Sequence, residues 1–119
     1  MIKSKEFRYI SSNQSSAKLN MLIDKALFNA YEPSDKPIFR LYSWNDSFTV
    51  GISQDLQEYD SLYKEYKSNC AKRMTGGGVL FHGHDISYSL ILPTEDSSLK
   101  VKEMYESICS FLIKFYENL

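Results

Sequence analysis

The chain has 119 residues, and its 14 basic and 15 acidic side chains give a formal net charge of −1 at pH 7. Hydrophobic residues make up 43% and charged residues 24%, which is the composition of a globular protein and excludes a disordered or collagen-like chain. The balanced charge gives no bulk electrostatic sign of a nucleic-acid or membrane partner, and the length predicts one domain, residues 1–119.

The first part of the chain predicts a strand, a helix and a pair of strands. A short strand is expected at residues 7–10, and the side chains of residues 11–13 can cap a following helix. Two apolar runs, residues 38–44 and 48–52, are typical of neighbouring strands. The helix before them carries apolar residues at steps of three and four, which predicts a core-facing stripe of Leu19, Leu22, Ile23, Ala26, Leu27 and Ala30.

The second part predicts a helix, three strands and a last helix. Apolar residues return to helical spacing over residues 56–66. A strand into a glycine run, a strand at 79–81 and a strand at 86–92 follow, and the last of these ends at Pro93. Helical spacing then runs over residues 101–119, after the capping candidates Ser97 and Ser98.

Helices and strands are thus mixed along the chain, hairpin-like strand pairs lie in its middle, and no repeat of solenoid length occurs. This pattern predicts an α+β (mixed α/β) fold with a mixed, largely antiparallel sheet flanked by helices.

Three consecutive glycines, Gly76, Gly77 and Gly78, lie between two strand-like segments. Each glycine costs roughly 0.5 to 1 kcal/mol relative to alanine within regular structure, so the backbone here must need positive φ or close approach to a ligand. Free N–H groups of such a loop can bind an anion. The order of residues matches neither a P-loop nor a dinucleotide-binding loop, and a ligand-free glycine hairpin is the alternative.

Residues 72–82 read KRMTGGGVLFH, which resembles the signature of the lipoate branch of the biotin/lipoate protein ligase superfamily. The shared features are a basic pair, a hydroxyl residue, three glycines, an aromatic residue and a histidine. Residues 40–44 and 50–54 resemble the strand pair that precedes this loop in the family, and the helix around residues 20–24 also fits. The loop of the biotin-ligase branch is absent from the sequence.

The branch within the lipoate family is left open by the residues. The run DISYSL at 85–90 resembles the octanoyltransferase and cofactor-transferase members. Gly78 follows the ligase pattern instead, because the octanoyltransferase branch commonly has arginine at the third glycine.

The resemblance implies a lipoate-protein ligase-like protein. Such a protein uses ATP and magnesium to attach lipoate or octanoate, through an acyl-adenylate, to a lysine of a lipoyl carrier domain in 2-oxoacid dehydrogenase or glycine cleavage complexes. One alternative is octanoyl or lipoyl transfer from octanoyl carrier protein through a cysteine thioester. The other is a non-catalytic remnant that binds a ligand or a carrier domain.

By resemblance, the chain covers about the first half of a catalytic domain, because the catalytic lysine of the family lies on a later strand. We therefore expect the chain to be incomplete on its own. An unfinished sheet favours pairing with a second polypeptide, self-association or a truncated gene product, and the sequence leaves these three alternatives open. No catalytic residue and no metal ligand is assigned here.

The site predicted from the resemblance binds the substrate or its acyl-adenylate. Arg73 would offset negative charge, Thr75 would donate a hydrogen bond, and the glycine backbone would line the ligand. His82 would contact the ligand or orient the loop, with a structural role as the alternative. Two residues expected on one strand face would border an acyl tunnel, which completes the predicted set of Arg73, Thr75, Gly76, Gly77, Gly78, His82, Trp44 and Arg40.

Other features indicate a soluble protein of the reduced cytoplasm. Residues 1–8 lack the apolar segment of a signal peptide, and no apolar run approaches the roughly 18 residues that span a bilayer. Cys70 and Cys109 have no CxxC spacing, so neither a zinc site nor a disulfide framework is indicated. Cys70 precedes two basic residues, but it is not assigned as a nucleophile, since the catalytic cysteine of the family lies in a later segment.

Overall fold

A computed structural model describes residues 6–93 and 101–118 of the chain. Within them the chain forms strands and helices in mixed order, which confirms the α+β fold class. The elements are β1 (Arg8–Ser11), α1 (Ala17–Ala30), β2 (Ile38–Ser43), β3 (Ser47–Val50), α2 (Leu56–Leu62), a 3-10 turn (Lys64–Tyr66), β4 (Cys70–Lys72), β5 (Leu80–His82), β6 (Ile86–Ile91) and α3 (Val101–Glu117).

The strands are divided between two three-stranded sheets, where the sequence had suggested one. The first sheet has the order β1-β2-β6 and the second the order β4-β3-β5. In each sheet the central strand has one parallel and one antiparallel neighbour. The longest pairing is antiparallel and joins all of β2 to β6, with Arg40 opposite Ser89.

The central strand of the second sheet is completely buried. All four residues of β3 are inaccessible to solvent, including the polar Ser47 and Thr49. Phe48 packs edge-on against the rings of Tyr63 and Tyr66, with ring centroids 5.4 and 5.6 Å apart. The predicted helix over residues 56–66 is therefore confirmed as α2 followed by the 3-10 turn, and its aromatic residues cover β3.

Helix α1 begins later than the capping pattern of residues 11–13 indicated. Ser11 is still part of β1, and Ser16 is the N-cap, whose side-chain oxygen accepts a hydrogen bond from the N–H of Leu19. The capping candidates for the last helix, Ser97 and Ser98, lie outside the described residues.

The apolar stripe predicted for α1 faces the core only in part: Ile23 and Leu27 are half-buried, and the other four residues are exposed. Leu22 is 63% exposed and Leu19 is also exposed, whereas the buried residues of the helix are Ala17 and Asn20. The physical reason lies in β2. Its Arg40 is completely buried and needs polar partners, so α1 turns a polar face towards the sheet.

The guanidinium of Arg40 donates hydrogen bonds to that polar face and to Ser12. Its Nη1 donates to a carboxylate oxygen of Asp24 at 2.7 Å, its Nη2 donates to the side-chain oxygen of Asn20 at 2.7 Å, and its Nε donates to Ser12. Asp24 also accepts a hydrogen bond from Ser89 on β6. Because buried charges are tolerated when they are paired, this network fixes α1 on the first sheet.

Among the described residues, no helix is both long enough and apolar enough to cross a bilayer.

Candidate functional site

The glycine loop follows β4 and packs on the end of β3. The N–H of Arg73 donates to the carbonyl of Val50, and the N–H of Ile52 donates to the carbonyl of Thr75, both at 2.9 Å. A Cβ atom on Gly51 would lie 2.1 Å from the carbonyl oxygen of Gly77. The bare backbone of Gly51 therefore lets the loop approach this closely.

Arg73 holds the loop from within. Its Nη2 donates to the carbonyls of Gly76 and Gly78 at 2.9 and 2.7 Å, and its Nη1 donates to the hydroxyl of Thr49 at 2.7 Å. Burial lowers the pKa of this guanidinium from its ordinary value, which still leaves it cationic at neutral pH. The loop therefore contains a fixed positive charge.

The N–H groups of the three glycines remain available to a ligand. Gly77 has φ of +97°, in the region that favours glycine, and all three glycines are exposed. Within residues 6–93 and 101–118, none of their N–H groups donates a hydrogen bond. Free N–H groups beside a cation form a surface suited to an anion.

His82 is buried between polar partners. Its Nε2 lies 2.9 Å from the Thr49 hydroxyl and its Nδ1 lies 2.7 Å from a carboxylate oxygen of Asp85, whose other oxygen accepts from the N–H of Gly83. Burial by itself would raise the pKa of Asp85, but the hydrogen bonds from His82 and Gly83 outweigh it and lower the pKa below the ordinary value. A carboxylate therefore faces the imidazole.

Trp44 lies over His82. The two rings are nearly parallel, with an interplanar angle of 11° and centroids 3.8 Å apart. The indole N–H donates to the hydroxyl of Ser87 at 2.9 Å. Trp44 is thus held by stacking on His82 and by its hydrogen bond to Ser87 of β6.

A cavity of about 840 Å³ lies between the glycine loop, α1 and β6. Polar groups of the wall come from Arg73, the loop backbone, Asp24, His82 and two serines of β6, and most of the lining surface is apolar. Apolar and aromatic side chains of α1, β5, β6, the loop and the residue after β2 line it: Met21, Phe28, Trp44, Met74, Leu80, Ile86 and Tyr88. The size and the apolar lining with few convergent polar groups are those of a small-molecule site.

The cavity brings together seven of the eight residues predicted from the sequence. Its wall includes Arg73, Thr75, Gly76, Gly77, Gly78, His82 and Trp44. Arg40 is not part of that wall, because its guanidinium is buried against Asn20 and Asp24 on the far side of Tyr42. The structure therefore gives Arg40 a role in holding α1.

Three residues of this arrangement were missed by sequence reasoning: Thr49, Gly51 and Asp85. The isolated Gly51 after an apolar run is a signal of close backbone approach and could have been used. Asp85, three residues after His82, offered a weaker signal. Nothing in the sequence pattern pointed to Thr49, because its partners are distant in the chain.

A larger depression of about 1090 Å³ lies on the other side of β5, lined by Asp46, Glu65, Lys67, His84 and neighbours. Its charges are of both signs, and none of the three glycines borders it. The cavity at the glycine loop is therefore the better candidate. In the described part of the chain, no three His, Cys, Asp or Glu side chains are grouped so that they could hold a metal ion.

Cys70 is not built as a nucleophile, although two basic residues follow it. Burial, the hydrogen bond to Asp60 and the negative charge of Asp60 raise the pKa of its thiol to about 11. We predict that at mildly alkaline pH a thiol-reactive disulfide reagent modifies the exposed Cys109 rapidly and Cys70 only after unfolding. Counting modified thiols in the native protein and in a Cys109→Ser variant tests this, and rapid labelling of that variant would contradict it.

Residues 16–119 match the family described as the lipoyl protein ligase A/B catalytic domain. The chain belongs to this family. The resemblance that residues 72–82 carried is thereby confirmed.

The chain, as a member of the lipoyl ligase family, has curated relatives that are named octanoyltransferases. Octanoyltransferase LipM of Bacillus subtilis is 30% identical over 122 residues, a match that covers 95% of this chain and 43% of the relative. LipM of Clostridioides difficile is 31% identical over 110 residues, a match that covers 86% of this chain and 41% of the relative. The chain thus spans less than half the length of these relatives.

Solved structures similar to this chain are described as lipoate ligases. A lipoate-protein ligase A bound with ATP is 25% identical, with a TM-score of 0.70 over 85% of this chain and 42% of that one. A T. acidophilum protein assigned as a lipoate protein ligase, solved with lipoic acid, is 25% identical with a TM-score of 0.68, over 85% of this chain and 43% of that one. The fold around the cavity is therefore that of lipoyl ligase catalytic domains.

Proposed function

We propose that this chain binds a lipoyl or octanoyl group, as its adenylate, in the cavity beside the glycine loop. One observation carries the proposal: the wall of one cavity combines an anion-binding part, made of free glycine N–H groups and the Arg73 cation, with a larger apolar part. An acyl-adenylate has the same division, with a hydrocarbon chain on one side of an anionic phosphate.

The residues of the cavity fit the two parts of such a ligand. Side chains such as Phe28, Leu80 and Ile86 offer apolar surface to an acyl chain, and Trp44 borders it. The loop N–H groups would meet the phosphate, with the Arg73 charge behind them. Thr75, exposed on the loop, is proposed to donate its hydroxyl hydrogen to the same anion.

The relatives support this assignment of the ligand. A structure similar to this chain holds ATP and another holds lipoic acid. We propose ATP as the source of the adenylate, and magnesium bound chiefly to the phosphates of ATP, since that is how Mg²⁺ usually meets nucleotide sites.

We further propose that the acyl group is passed to a lysine of a lipoyl carrier domain, and that a second polypeptide or a second copy of the chain can extend the first sheet. The edge of β6 supports this step, because it borders the cavity and exposes Ile86 and Tyr88. A strand added at that edge would extend the cavity wall.

A second candidate is octanoyl transfer from octanoyl carrier protein through a cysteine thioester, without ATP. The observation that favours it is the description of the curated relatives as octanoyltransferases. Cys70 does not provide the thiolate for that reaction, since its pKa of about 11 keeps the thiol protonated.

Titration with a non-hydrolysable octanoyl-adenylate analogue, an octanoyl sulfamate of adenosine, tests the proposal. The single tryptophan, Trp44, lies in the cavity wall, so its fluorescence should change saturably as the analogue binds. Adenosine alone, without the acyl chain and the anionic linker, should bind far more weakly. Equal binding of the two compounds, or no fluorescence change with the analogue, contradicts the proposal.

The two candidate reactions are separated by a second measurement. If ATP and octanoate together produce pyrophosphate in the presence of the protein, the ligase reaction is supported. If the acyl group is transferred only from octanoyl carrier protein and without ATP, the transferase is supported instead.

A further inference from the structure

Thr49 is a polar residue with no exposed surface, and it lies in the middle of β3 between Phe48 and Val50. Its hydroxyl oxygen contacts two of the charged or ionisable side chains in the motif of residues 72–82. It lies 2.7 Å from Nη1 of Arg73 and 2.9 Å from Nε2 of His82. These two side chains are thus linked through one buried atom.

The hydrogen atoms of this contact can be assigned from the partners. A guanidinium only donates, so the Thr49 oxygen accepts from Arg73. The same oxygen could also accept from an Nε2–H of His82, but the buried hydroxyl hydrogen would then have no acceptor among the described residues, so we give that hydrogen to Nε2. Nε2 is then unprotonated, and Nδ1–H donates to the Asp85 carboxylate at 2.7 Å. Arg73 therefore donates to Thr49, Thr49 donates to His82, and His82 donates to Asp85.

The same chain of contacts orients the loop. All peptide bonds in the described residues are trans, so a carbonyl and the N–H of the same peptide point in opposite directions. Arg73 draws the carbonyl of Gly76 towards itself, and the N–H of Gly77 in that peptide therefore points away from the guanidinium. The direction of the guanidinium thus fixes the direction of a ligand-facing N–H group.

We propose that Thr49 is a positioning residue for the ligand loop: its hydroxyl fixes both the guanidinium that directs the glycine peptides and the tautomer of the imidazole beneath Trp44. This inference rests on the proposed function of the loop as an acyl-adenylate site. If Thr49 only filled space in the core, its hydroxyl would have no role, and valine, which is also branched at Cβ, would serve there equally well.

The tautomer of His82 in the unaltered protein is the first test. Nitrogen-15 NMR of the imidazoles, recorded at mildly alkaline pH so that the neutral form is observed, should show Nδ1 protonated and Nε2 unprotonated for His82. The exposed His84 provides an internal comparison, since the chain has two histidines. A protonated Nε2 in His82 overturns the inference without the need for any variant.

Substitution of Thr49 is the second test. In Thr49→Val, Nη1 of Arg73 and Nε2 of His82 lose their shared partner, so we expect affinity for the octanoyl sulfamate of adenosine to fall about tenfold and the His82 nitrogen signals to shift. Thr49→Ser keeps the hydroxyl and should restore both. Unchanged affinity and unchanged imidazole signals in folded Thr49→Val overturn the inference.

Ser47→Ala is the matched control. Ser47 is equally buried in the same strand, but its hydroxyl has no hydrogen-bond partner within the described residues, so its removal should change neither affinity nor tautomer. If Thr49→Val does not fold, Thr49→Ala takes its place. The affinity of Thr49→Ser and the His82 tautomer in the wild-type chain then still test the role of the hydroxyl. Absence of binding by the wild-type chain counts against the proposed function, whereas equal binding by wild type and Thr49→Val counts against Thr49.

Discussion

Gly51→Ala should lose most of its affinity for the acyl-adenylate analogue and unfold at a lower urea concentration than the wild-type chain. The added Cβ would lie 2.1 Å from the carbonyl oxygen of Gly77 and 3.1 Å from the carbonyl carbon of Gly76. Both are backbone atoms, which cannot rotate away as a side chain can. The loop must therefore move, and its carbonyls move away from Arg73.

The expected cost in stability is about 1–3 kcal/mol, as for other overpacked positions. Alanine also restricts the unfolded chain, which returns only about 0.4–1 kcal/mol, so the steric term decides the sign. Urea unfolding followed by Trp44 fluorescence measures the stability, and titration with the analogue measures the affinity.

Gly78→Ala is the matched control for stability. A Cβ there has nothing within 4 Å, and the residue lies in the same loop. We expect its free energy of unfolding to stay within about 0.5 kcal/mol of wild type. If Gly51→Ala binds the analogue and unfolds as the wild-type chain does, the loop does not pack on Gly51 and the site geometry described above is wrong.

Arg40→Met should destabilise the fold more than any other single change considered above. Removal of one member of a buried ion pair costs about 3–5 kcal/mol, because the remaining charge stays buried without its partner. Here Asp24 has a side-chain exposure of 14%, while that of Arg40 is 0%. A small domain has a total stability of only about 5–15 kcal/mol, so a large part of it would be lost.

Lys36→Met provides the comparison for an exposed pair. Lys36 lies 2.9 Å from Glu6, with side-chain exposures of 60% and 74%. Solvent screens such a pair, so its loss should change the free energy of unfolding very little. The urea midpoints of the two variants should therefore differ clearly.

Arg40→Met also tests the role that the sequence predicted for Arg40. If the variant folds with wild-type stability but no longer binds the analogue, Arg40 belongs to the ligand site, and its hydrogen bonds to α1 contribute little to the free energy of unfolding. If the variant is destabilised, and binds the analogue when folded, Arg40 is a structural residue.

Much of the local structure could be predicted because it depends on neighbouring residues. Helical spacing over residues 56–66 and the apolar run of β2 are sufficient for those elements to be recognised. The ends of the elements were less certain. The N-cap of α1, for example, is Ser16 because β1 extends to Ser11 and the helix can begin only after it.

The orientation of α1 could not be predicted in the same way. Its apolar spacing is regular, yet the sheet contacts the face that carries Asn20. Spacing shows which residues share a face, but the partner of that face is set by a strand elsewhere in the chain. In this protein the partner is the buried charge of Arg40.

The sequence by itself determined that the glycine motif of residues 72–82 is a lipoyl ligase family loop, because the order of residue types within one segment carries that information. Only the tertiary structure decided how the loop is held. Gly51 gives it room, Thr49 links Arg73 to His82, and Arg40 is used elsewhere. These are contacts between residues far apart in the chain, and no local pattern encodes them.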